Sequence, residues 1–155
     1  MSLQQCRLIF AETLRQLQVE EGDLGDEGMW QMRLKYDWMP SLNFCYIESK
    51  DSLLIFSEAG YIDFDGENDV LKDVMHRQFL FNKSKGVTFS LAGDNNALTV
   101  QLMLDVGNLT VNSFSEALQN FVEEVRFAVF KINDIHEDDY GSSYGTTYTN
   151  SIILG

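Results

Sequence analysis

The sequence predicts an α+β fold in the order helix, three strands, helix, two strands, helix, with one twisted antiparallel sheet and the helices packed on it. Two periodicities and the connections between them predict this. Apolar residues recur at three- and four-residue steps in three segments, and they alternate with polar residues in five others. The links between strands are short and carry Gly, Asp, Asn and Ser, which favours an antiparallel meander over crossover connections. At 155 residues and 45% hydrophobic, the chain suits one domain with a single core. That domain is assigned to residues 1–136. Residues 137–155, acidic and then rich in Gly, Ser, Thr and Tyr, are expected to form a flexible tail.

The first helix is expected over about Leu3 to Val19, where Cys6, Phe10, Leu14 and Leu17 share one face and Leu8 and Ile9 lie off it. Gly22, Gly25 and Gly28 in an acidic stretch predict its end. Residues 30–36 then switch to period two, with Trp30, Met32, Leu34 and Tyr36 on one side. Pro40 marks a turn. Leu42, Phe44 and Tyr46 repeat the alternation, and Leu53 to Phe56 is apolar on both faces. Asp69 is placed to cap a second helix running to about Phe81. Gly86 to Leu91 and Ala97 to Leu104 read as strands joined by the turn Gly93-Asp94-Asn95-Asn96. Ser113, with Glu116 three residues on, predicts a capping box that opens a strongly apolar last helix to Ile132.

Charge narrows the partners. Twenty-four acidic against eleven basic residues give −13, and residues 137–155 supply only three of the acidic ones, so the folded body itself is acidic. Nucleic acid and anionic membranes are bound through clustered Lys and Arg, so both are excluded as partners. No stretch approaches the apolar length of a membrane helix, so no membrane insertion is expected. The start of the chain lacks a secretory leader pattern, and the two cysteines have no CxxC spacing. A cytoplasmic protein with reduced thiols is the expectation.

The motifs that carry chemistry are missing or out of context. Gly141-Ser142-Ser143-Tyr144-Gly145 fits G-x-S-x-G, but no strand precedes it and no helix follows, as a nucleophile elbow requires. Asp63-Phe64-Asp65-Gly66-Glu67 resembles a calcium loop, yet Asn68 and Val74 stand where an EF-hand needs Gly and Glu. His76 and His136, 60 residues apart, do not make a zinc site with the two cysteines. Neither nucleotide-binding glycine motif occurs. No enzyme, no metal and no cofactor are expected.

Phe10-Ala11-Glu12-Thr13-Leu14-Arg15-Gln16-Leu17, the run Val70 to Phe81 continuing through Gly86 to Leu91, and the closing unit of turn 93–96, strand 97–104 and helix Phe114 to Ile132 together resemble the class I type III secretion chaperones. The resemblance covers about residues 5–133. Gln78 stands where that family often has Asn, and the Pro it often has near Asp105-Val106 is absent.

The resemblance implies a cytoplasmic homodimer that binds the N-terminal segment of a secreted effector in a non-globular state, by apolar grooves and added strand pairing, without ATP hydrolysis. On that reading the effector contacts are Phe10, Leu14, Trp30, Met32, Phe44 and Ile55. Each also reads as core, because alternation ordinarily buries one face. The dimer contacts implied are Val74, Met75, Phe79, Val87, Phe89 and Leu91, with ordinary internal packing as the alternative for each. A dimeric adaptor or regulatory protein of the same fold, outside secretion, is the competing function.

Overall fold

The computed structural model describes residues 3–19, 22–63, 69–93 and 96–134. Along the chain lie α1 (Leu3–Gln16), β1 (Met29–Met32), β2 (Leu42–Ile47), β3 (Ser52–Tyr61), α2 (Asp69–Gln78), β4 (Thr88–Ala92), β5 (Ala97–Asp105) and α3 (Val111–Ile132). The strands form one antiparallel sheet in the order β1-β2-β3-β5-β4, so the expected α+β class and element order hold. The tail, its Gly141–Gly145 motif and most of the acidic 63–67 loop lie outside the described residues.

Several boundaries differ from expectation for identifiable reasons. α1 stops at Gln16 rather than Val19. Gln18 adopts φ 60°, its N–H donates to the Arg15 carbonyl, and the Val19 N–H reaches back to the Leu14 carbonyl at 2.9 Å. That is a Schellman stop, reached before the glycines. β1 ends at Met32, opposite the start of β2 at Leu42, and beyond it the ladder is reduced to an isolated bridge at Leu34. β3 runs on to Tyr61 through a register shift at Glu58/Gly60, which the Ser-Glu-Ala-Gly composition concealed. There Gly60 has φ 146°, and a Cβ would stand 3.2 Å from the Ile132 side chain, so the last turn of α3 can close onto the strand. The α3 cap is one turn earlier than predicted. Thr110 is the N-cap, its hydroxyl accepting the Ser113 N–H at 3.2 Å while Ser113 Oγ accepts the Thr110 N–H at 3.0 Å.

The helices α1 and α3 lie on one face of the sheet, here called inner. Phe10 of α1 meets Phe44 of β2 edge-on, with ring centres 5.1 Å apart, and stacks with Phe114 of α3 at 5.8 Å. Each such pair adds about 1 kcal/mol beyond simple burial. Leu42, Leu53, Ile55, Leu98, Val100, Leu118, Phe121 and Val125 complete this core.

α2 reaches the core differently. Arg77 donates to Glu124 of α3 through Nε at 2.5 Å and Nη2 at 2.9 Å, and its guanidinium lies 4.3 Å from the Phe127 ring centre. Lys131 pairs with Asp73 at 2.7 Å and holds that carboxyl below its ordinary range. Gln78, at the C-terminal end of α2, accepts the Phe89 N–H of edge strand β4 at 2.6 Å.

Glu124 is only 4% exposed, so losing its counter-charge strands a carboxylate indoors. Arg77→Met is expected to lower the unfolding free energy by about 3–5 kcal/mol in urea titrations. Arg77→Met combined with Glu124→Leu should recover most of that loss. Equal instability of the single and double variants would show that the pair contributes through packing alone.

Candidate protein-binding surfaces

With the inner face covered, the opposite, outer face of the sheet has no described helix on it. The pairing register puts Met29, Cys45, Leu54 and Met103 side by side across β1, β2, β3 and β5. At about 4.8 Å per strand this apolar row is about 15 Å across. Met29 is 58% and Met103 46% exposed, with Cys45 and Leu54 half-buried between them. The next row, Gln31, Asn43, Phe56, Gln101 and Thr88, is polar except for Phe56. Gln31 donates to Asn43 at 2.8 Å, which orders its polar end. Acidic residues bound the band: Asp105 follows Met103 by two residues on β5, and Glu58 follows Phe56 by two on β3.

A second surface runs along the outside of α1. Leu8 is 67% exposed beside an open depression of about 500 Å³ lined by Gln4, Arg7, Leu8, Ala11 and Asp23. Arg7 ties the helix to the following loop through Asp23 and through Asp26 at 2.8 Å.

A third lies where α2 ends. Phe79, Leu80 and Phe81 form a single 3-10 turn and are 68%, 69% and 51% exposed. Leu80 and Phe81 have φ of 52° and 54°. Left-handed backbone at residues with a Cβ costs about 1–2 kcal/mol each. Met75, one helical turn before Phe79, is also exposed, as is Leu91 on the strand that α2 packs against.

These surfaces use few of the residues expected from sequence. Phe10, Leu14, Phe44 and Ile55 are at most 1% exposed and Met32 is 7%. All five belong to the protomer's interior, because they point into the helix-covered face, and none offers surface to another chain. Trp30 is on the same side but only partly covered, 5.2 Å from Phe10 and 5.6 Å from Phe44 at the rim of the aromatic cluster. Of the expected dimer contacts, Val74, Val87 and Phe89 are likewise interior, whereas Met75, Phe79 and Leu91 are exposed. Met29, Leu54, Phe56 and Met103 are not among the expected contacts. The signal for two of them was present, since Leu53 to Phe56 is apolar at every position and so has grease on both faces.

Among the described residues no cluster of three His, Cys, Asp or Glu side chains could hold a metal ion, and no helix is long and apolar enough to cross a membrane. Two groups, Cys6 and Tyr46, titrate well above their ordinary range. Burial first, and the negative Asp51 second, push the Cys6 thiol from 9.0 up to about 11. Tyr46 donates to Asp51 at 2.8 Å, and that bond raises its phenol to about 12.

Residues 10–128 match the Tir chaperone protein (CesT) family. No curated protein matches the chain. Among solved structures it is similar to a chain of the ExsC–ExsE complex, with 16% identity and a TM-score of 0.66 over 84% of this chain and 95% of that one. It is also similar to a chain of the heterodimeric ExoU–SpcU complex from the type III secretion system of Pseudomonas aeruginosa, at 15% identity, TM-score 0.64, and 80% and 98% coverage. A third likeness is to the structure of the Yersinia pestis type III secretion chaperone SycH with a fragment of YscM2, at 16% identity, TM-score 0.61, and 79% and 98% coverage. At these identities the shared feature is the fold.

The thiols give a direct check on inner and outer placement. At pH 8 a thiol reagent should label Cys45 in the folded protein and reach Cys6 only on unfolding. The folded pKa of Cys6 lies above its unfolded value, so the stability it contributes is complete below about pH 9 and is lost as pH rises to about 11. Urea titrations should show that decline, with a shallower slope in Cys6→Ala. Rapid labelling of Cys6 at pH 8 would contradict its burial.

Proposed function

The chain belongs to the Tir chaperone protein (CesT) family, and on that footing we propose that it is a cytoplasmic type III secretion chaperone that holds the N-terminal segment of a secreted effector, without nucleotide and without catalysis. The observation that carries this reading is the uncovered apolar row of Met29, Cys45, Leu54 and Met103. Monomeric soluble proteins rarely leave a connected apolar band on the open side of a sheet unless something docks there. Edge strand β1 adjoins that row, so an extended segment pairing with β1 would satisfy its backbone there and lay alternate side chains over Met29. The acidic rim and the chain's net charge of −13 favour a segment carrying Lys or Arg between its apolar anchors.

The same reading makes the protein a homodimer through the third surface. A two-fold contact needs a self-complementary patch, and Met75, Phe79, Leu80 and Phe81 offer one on consecutive turns. Covering it would offset the left-handed strain at Leu80 and Phe81. Among the expected dimer contacts, Met75, Phe79 and Leu91 remain in this proposal.

Effector capture is tested by co-purification with exported proteins in the host. Met29→Glu with Met103→Glu should keep the circular dichroism spectrum and weaken capture at least about tenfold, the effect of two charges in an apolar contact. Undiminished capture would remove the outer face from the binding site. Phe79→Glu should convert the dimer to a soluble monomer in sedimentation equilibrium, because two like charges would meet across the axis. A wild-type protein that sediments as a monomer would overturn the dimer.

A further inference from the structure

Sulfur is concentrated where the partner would sit. Met29 and Cys45 are direct cross-strand neighbours, and Met103 ends the same row. The remaining described methionines divide sharply: Met32 and Met39 are 7% and 4% exposed, whereas Met75 is 58% exposed on the α2 surface. The Met29–Met103 row thus ends at both sides on an exposed thioether rather than on Leu or Ile. A thioether packs like a hydrocarbon but accepts an oxygen atom, which converts it to a polar sulfoxide.

We propose that Met29 and Met103 form an oxidation site that switches the outer sheet face from partner-binding to partner-releasing; this rests on the reading of that face as the partner surface. The oxidant is a peroxide. A sulfur lone pair attacks one peroxide oxygen, the S–O bond forms as the O–O bond breaks, and the other oxygen leaves as water with both peroxide hydrogens. Sulfur loses two electrons and peroxide gains them. Two sulfoxides at opposite ends of a row about 15 Å across leave only Cys45 and Leu54 apolar between them, so no anchor spanning the band keeps both ends dry. Methionine sulfoxide reductases of both stereochemical types reverse the change.

The experiment treats the full chain with dilute hydrogen peroxide, maps sulfoxides by peptide mass spectrometry and titrates the neutral dye Nile red before and after. Met29 and Met103 should oxidise well ahead of Met32 and Met39, and dye affinity should fall roughly fivefold or more as two apolar anchors become polar. Reductase treatment should restore it. In Met29→Leu with Met103→Leu, the ratio of oxidised to untreated affinity should stay near one whatever the untreated value. That variant keeps Met75, so a loss arising there would appear in both proteins. Equal oxidation of the buried methionines, unchanged dye affinity after oxidation, or an equal fall in the variant would overturn the proposal. An untreated protein that captures no exported chain would overturn the chaperone reading instead, so the two failures are separable.

Discussion

Aromatic packing among Phe10, Phe44 and Phe114 decides which face of the sheet the helices cover. Phe44 pairs in register with Ile55 and through it with Leu102, so one ring contact on β2 commits the neighbouring strands to the same side. Strand side chains have a period of two, so that commitment also turns Cys45, Leu54 and Met103 outward. The exposed apolar row is the remainder left by the core, and its composition follows from the same register. A strand with Ile55 inside and Leu54 and Phe56 outside has more grease than one covered face can use.

α2 is held by charge where α1 is held by rings. The bidentate Arg77–Glu124 contact, with Phe127 beneath the guanidinium, docks α2 on α3 while leaving most of its own side chains outside. Val74 is its single buried residue. Tied mainly through polar atoms at Asp73, Arg77 and Gln78, the helix keeps Met75 exposed. The turn at Phe79–Phe81 continues that exposure past the helix end, at the cost of two left-handed residues.

Much of this was legible in the sequence, and the misses have physical causes. Element order and sheet class followed from periodicity and turn chemistry, and residues 10–128 match the family that the sequence resembles. Boundaries slipped where a stop used a residue of low turn preference, as at Gln18, or where a bulge let β3 run through Gly60. Site residues slipped for a subtler reason. Alternation separates Met29 from Trp30 and Leu54 from Ile55, but it does not say which set meets the helices. Trp30, Met32, Phe44 and Ile55, the contacts that the resemblance implies, lie on the set that meets the helices. On α2 the same ambiguity split the dimer set, with Val74 turned inward and Met75 outward on adjacent positions.

The Gln78 amide oxygen takes up the Phe89 N–H on the free border of β4. A β-sheet polymerises only if each unit offers two free borders, one to receive a strand and one to be received. Here α2 lies against β4 and fills a backbone donor on that border with its own side chain, while β1 has no described strand on its far side. The sheet is thereby open to extension on one flank and blocked at this donor on the other, so an added strand terminates the array instead of seeding a fibre.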